Sequence, residues 1–146
     1  MRPAAHVVTS SIISAFVGIY FKSFGCAVLS FVTGVFIDLD HLIDYFTSYK
    51  FTLRLKRIYC ACARARFKRL FLVLHSYEIV LVLWIAIFAF GLSNVWKAAA
   101  IGITQHIVFD QVTNPLKSFG YFFIYRTMKG FRIERIMRKD YLKCLR

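Results

Sequence analysis

Acidic residues are scarce in this chain of 146 residues: seven Asp and Glu stand against 20 Lys and Arg, for a formal net charge of +13. So few acids cannot make the mixed-sign surface of an ordinary soluble domain. Cysteine is sparse too, at four residues. Cys60 and Cys62 are too close to bridge comfortably, and Cys26 and Cys144 lie in very different settings, so a disulfide framework is excluded and the thiols are read as reduced. The Cys60-x-Cys62 pair has no second pair to complete a thiolate metal site. Two prolines and seven glycines leave no linker rich in either, and there is no internal repeat or low-complexity stretch. The chain is therefore read as one domain, 1–146.

What is abundant is oil. The hydrophobic content of 59% with 16 Phe, and a mean hydropathy of +0.60, predict an all-α integral membrane protein. Apolar runs place about four transmembrane helices near 4–21, 25–46, 70–92 and 97–113. No small-x-small cleavage site follows the first run, so it reads as an uncleaved anchor that retains His6. Thr113-Asn114-Pro115 ends the last run, because proline disfavours helical backbone in the residue before it. Two basic segments, 50–69 and 126–146, are read as interfacial and cytoplasmic, touching anionic lipid headgroups, in accord with the positive-inside rule. Within 50–69 the pattern fits a strand or a surface helix equally well. After Gly130, Ile133, Ile136, Met137 and Tyr141 recur at helical spacing, the pattern of an amphipathic helix on lipid. No nucleic-acid motif accompanies the charge, so membrane lipids are the expected partners.

Against that background the acids that do occur are conspicuous. Five of the seven, Asp38, Asp40, Asp44, Glu78 and Asp110, lie in or beside apolar runs, as do all four histidines, His6, His41, His75 and His106. Ionisable groups in a membrane-embedded segment mark a functional site unless paired otherwise. His75 precedes Glu78 by three residues and His106 precedes Asp110 by four, so each pair shares a helix face. With both basic segments and both termini on the cytoplasmic side, all of these groups fall at one end of the bundle.

Imidazole and carboxylate without thiolate suit Zn²⁺ first, then Mn²⁺ or Fe²⁺. Five carboxylates ask for about two divalent ions, the arrangement that activates water and stabilises a leaving oxygen in phosphoester hydrolysis. The expected metal ligands are His6, Asp38, Asp40, His41, His75, His106 and Asp110. Asp44 and Glu78 are the expected catalytic carboxylates, as general base or as partners that fix a histidine. Asn114 and Arg126 are the candidates for contact with substrate. Blander roles exist for each: His6 as a solvated helix start, the aspartates as an acidic collar, His75 with Glu78 as an interhelical hydrogen bond, Asn114 as a helix cap.

Asp38-x-Asp40-His41 after an apolar run, His75-Ser76, and His106-x-x-x-Asp110 followed by Thr113-Asn114-Pro115, with His6 upstream, resemble the membrane-bound metal-dependent hydrolase family typified by YdjM and described as LexA-regulated. The resemblance runs from His6 to about Arg126. It implies a helical bundle in a bacterial inner membrane, with ligand logic similar to zinc-dependent phospholipase C. The chain departs from that pattern at Leu70 and Phe71, where many members carry a histidine–arginine pair, which favours two ions over three. Competing functions are an ion or metal transporter, with ionisable groups strung along a path, and a membrane scaffold holding a closed structural metal.

Overall fold

The computed structural model describes residues 3–49, 58 and 69–138. The described residues are helical, without a strand; two isolated antiparallel bridges, Arg69 with Arg132 and Leu116 with Met137, are the only extended pairings among them. The first helix, α1 (Pro3–Phe21), ends in a Schellman turn: Ser23 N–H bonds to the Gly18 carbonyl and Lys22 N–H to that of Ile19, with Lys22 in the left-handed region at φ 50°. Ser23 then caps α2 (Phe24–Phe36), its Oγ accepting Cys26 N–H at 3.3 Å. The chain runs on through one 3₁₀ turn, Ile37–Leu39, into α3 (Asp40–Ser48). Tightening to 3₁₀ at that point re-aims the side chains that follow, a change common at functional positions.

The next apolar run departs from expectation. Residues 70–76 are not helical, and α4 covers only Tyr77–Ala89. Buried side chains take the backbone groups a helix would need: Asp44 Oδ1 accepts Phe71 N–H at 2.6 Å, Asp40 Oδ2 accepts Leu74 N–H at 2.7 Å, and Leu72 sits at φ 43°. After Gly91 at φ 59°, α5 (Asn94–Thr113) returns and stops at Asn114, as the following proline predicts. Two short helices, α6 (Phe123–Met128) and α7 (Ile133–Ile136), complete the described chain.

In the bundle α2 packs against both α1 and α5, and α4 leans on α5. The α2–α5 crossing is close because it is made of glycine. A Cβ on Gly102 would collide with the Ser30 carbonyl and the Thr33 hydroxyl, and one on Gly34 would lie 2.6 Å from Gln105 Nε2 and 2.9 Å from Ser10 Oγ. Small residues at a crossing are how membrane helices approach without a hydrophobic drive between them.

Two helices, Ala4–Phe21 and Phe24–Ser48, are long and apolar enough to cross a membrane, with only 22% and 33% of their residues buried. Phe16, Ile19 and Phe24 stand 66%, 74% and 85% exposed, which suits lipid better than the core of a soluble domain. By the same measure α4, with 13 residues, is too short and α5 too polar. The larger core lies at one end, around Tyr45, Leu72, Ile107, Tyr121 and Ile136; Val17, Cys26 and Ala98 form a smaller one at the other. Ile133, Ile136 and Met137, expected to rest on lipid, are instead buried in the larger core. Residues 1–2, 50–57, 59–68 and 139–146, with nearly all of the first basic segment, the end of the second, and Cys60, Cys62, Cys144 and Tyr141, lie outside the described residues.

Candidate metal centre

The hairpin geometry brings every histidine to that larger core. His6 lies in the first turn of α1, the aspartates follow α2, His75 immediately precedes the α4 cap residue, and His106 with Asp110 occupies the last two turns of α5. Since α1 leads away from this end, α2 and α5 lead back to it and α4 starts there, one end of the bundle collects them all. His6, Asp40, His41, Asp44, His75, His106 and Asp110 are buried. The Asp38 side chain alone among the carboxylates and imidazoles of this cluster is substantially open, at 33%.

Two triads form. His6, His106 and Asp110 offer ligand atoms within 4.8 Å of one another, and so do Asp38, His41 and His75. They adjoin. Asp38 Oδ1 lies 3.4 Å from both His75 Nε2 and His106 Nε2 and 3.7 Å from His41 Nε2, while Asp110 Oδ2 lies 3.9 Å from His75 Nε2 and 3.7 Å from His106 Nε2. Asp110 Oδ1 reaches His6 Nε2 at 3.1 Å, and the His6 and His106 rings stack at 4.3 Å. Asp38 and Asp110 thus stand between the triads.

Protonation follows from the outer partners. His106 Nδ1 is 2.6 Å from the Gly34 carbonyl, which can only accept, so Nδ1 carries the hydrogen. His75 Nδ1 likewise faces the Asp40 carboxylate at 3.3 Å. A neutral ring so held turns an Nε2 lone pair to the inside, where His75 Nε2, His106 Nε2 and Asp110 Oδ2 have no hydrogen-bond partner. Lone pairs of nitrogen and carboxylate oxygen facing each other in a buried space repel unless a proton or a metal ion lies between them. The residues fit a divalent metal: buried imidazoles and carboxylates, with Asp40–His75 reproducing the carboxylate–histidine pairing that supports metal ligands.

Comparison of the chain with family models, curated proteins and solved structures gives no match.

Not every expected residue belongs to the cluster. Asp40 faces His75 from outside through Nδ1, and its other bond goes to Leu74 N–H. Asp44 lies 4.0 Å from His41 Nδ1 and holds Phe71 N–H, the position of a partner to a ligand. Glu78 is elsewhere: its two carboxylate oxygens accept Phe123 N–H at 2.9 Å and Ile124 N–H at 3.1 Å, in the first turn of α6. Asn114 Nδ2 donates to the Tyr121 hydroxyl at 2.9 Å. Arg126, expected at a headgroup, is fully buried and donates to the carbonyls of Leu72 at 2.8 Å and His75 at 3.2 Å. Burial pulls the Arg126 pKa below its usual value, and Asp40, Glu78 and Asp44 oppose that pull.

Tyr121 and the Gly34 carbonyl are the contributors that the sequence did not disclose. Burial pushes the Tyr121 phenol well above its usual pKa, with Asp110 adding to the effect, so it remains a hydroxyl beside the cluster. In the sequence Tyr121 is one of several aromatics between Gly120 and Tyr125. Gly34 carries a signal in hindsight, as a glycine inside an apolar run just before Asp38.

Proposed function

We propose that this chain is a metal-dependent membrane hydrolase that cleaves a phosphoester of a lipid or lipid-linked substrate at the headgroup level of the cytoplasmic leaflet. The observation that carries the reading is the inward pair of partnerless Nε2 atoms on His75 and His106, facing Asp38 and Asp110 at 3.4–3.9 Å. Four carboxylates, Asp38, Asp40, Asp44 and Asp110, match two divalent ions in charge, zinc first and manganese or iron next. Ions bound there polarise a phosphoryl oxygen and bring the pKa of a water near neutrality. His6, His41, His75 and His106 supply the nitrogens. Asp40 and the Gly34 carbonyl hold His75 and His106 in the tautomer with Nε2 inward, and Asp44 steadies His41. Asp38, at the open side, is the ligand that substrate meets first.

In this reading α1, the α2–α3 helix, α4 with the non-helical residues before it, and α5 are the four crossings, and both termini are cytoplasmic. The runs 50–69 and 126–146 then lie beside the opening, where their charge draws anionic headgroups. The YdjM-like pattern points the same way. A transporter would string its ionisable groups along the bundle, whereas these gather at one end.

A phosphatase and phospholipase screen in detergent tests the reading. Zinc-loaded protein should release phosphate or a phosphorylated headgroup from at least one phospholipid or lipid-linked phosphate, and lose that activity with chelator and in His106→Ala. No turnover of any phosphoester by protein with its full metal content would contradict it.

A further inference from the structure

Beside the cluster is a cavity of about 250 Å³ between α2, α4 and α5. Its lining is apolar: Val32, Phe36 and Ile37 from the end of α2 and the turn after it, Leu74 before α4, Ile79 and Ile103. Thr33, the one polar side chain there, has its hydroxyl engaged by the carbonyls of Leu29, Ser30 and Ala99 at 2.9, 3.2 and 3.2 Å. Two of the walls run straight into the metal centre. Ile37 precedes Asp38, and Leu74 precedes His75 and donates its N–H to Asp40. The rim is open on the side, with Val32, Phe36 and Leu74 exposed at 37%, 55% and 46%, while Ile37 forms a buried floor at 6%.

We infer that this cavity is the subsite for a hydrocarbon chain of the substrate, so that an amphiphile lies with its phosphoester at Asp38 and the start of its tail along Ile37, Ile79 and Ile103. The inference rests on the hydrolase reading for the identity of the head and on the cavity for the tail. Size selects the occupant: the space exceeds the ~150 Å³ that accommodates benzene in an apolar cavity, yet a helix of a second copy, about 10 Å across, does not enter it. Polarity selects it as well, because a wall that is apolar but for Thr33 changes to carboxylate and imidazole within one residue on two separate segments.

The test uses the zinc-loaded full chain in vesicles of phosphatidylethanolamine and phosphatidylglycerol containing a phospholipid with a diazirine on its acyl chain. Light should place adducts at Ile79 and Ile103 several-fold above those at the outward-facing Ile12, Phe16 and Ile85, and Ile103→Trp should abolish the excess. Ile79→Trp serves as the second variant should Ile103→Trp fail to fold. Adducts spread evenly over exposed apolar residues, or an excess unchanged in the folded Trp variants, overturn the subsite. A second arm measures alkyl p-nitrophenyl phosphodiesters from methyl to octyl. There kcat/KM should rise about fourfold for each methylene that enters the cavity, and the Trp variants should flatten the series. A series equally steep in wild type and Trp variants overturns the subsite. No turnover of any ester with the labelling excess intact overturns the hydrolase reading and leaves the chain subsite standing.

Discussion

His75 is held by one ring nitrogen and offers the other: Nδ1 faces Asp40 at 3.3 Å, Nε2 faces Asp38 at 3.4 Å. Asp40 is therefore predicted to act on metal affinity through the ring. Asp40→Asn should weaken zinc binding about 10- to 100-fold with the helical content unchanged, as measured by competition with a chromophoric chelator; equal affinity in the two proteins would assign Asp40 to structure alone. The gathering of eight side chains, His6, Asp38, Asp40, His41, Asp44, His75, His106 and Asp110, was legible in the sequence because a carboxylate or imidazole in an oily run requires a compensating group. Glu78 carries the same signal and Arg126 was read with the basic segment, and both answer to a different compensation. The partners of Glu78 are two backbone N–H groups 45 and 46 residues further along, and those of Arg126 are carbonyls 54 and 51 residues back. Spacing along a helix states which side chains share a face; it does not distinguish a metal from a distant backbone group.

At the scale of elements, the ends of α1 and α5 and the α2–α3 continuation followed from the apolar runs and Pro115. The stretch 70–76 did not, since its composition suits a helix, whereas its backbone is captured by Asp40, Asp44, Arg126 and the Phe131 carbonyl. Arg126 is accordingly predicted to be the fastener of that segment. Arg126→Ala leaves two buried carbonyls and nearby carboxylates uncompensated and should destabilise by about 3–5 kcal/mol. Lysine should rescue little, because one ammonium cannot reproduce the fork that spans Leu72 and His75. Hydrogen exchange checks this: the amides of Phe71 and Leu74 should exchange faster in Arg126→Lys, and unchanged protection would show that Asp40 and Asp44 suffice.

For the molecule as a whole, four sequence-distant segments converge on one end, an outcome legible from the order of the apolar runs and the turns between them. The covering of that end by α6, α7 and the residues between was not, because Ile133, Ile136 and Met137 have the spacing of a lipid-bound helix and differ only in what they meet. Gathering four carboxylates and four imidazoles in a buried space ties stability to the cation. Zinc at 100 times its dissociation constant should stabilise the fold by about 2.7 kcal/mol, seen as a higher melting temperature that chelator reverses. The gain should shrink as pH falls, because protons compete with the ion for the same ligands; a melting temperature indifferent to zinc at pH 7.5 would contradict the linkage. The most direct measurement is metal content together with X-ray absorption on protein purified under metal-replete conditions. About two divalent ions per chain are predicted, with nitrogen and oxygen neighbours at about 2.0–2.2 Å and no sulfur; a chain that carries no transition metal, or one bound through thiolate, would contradict the account.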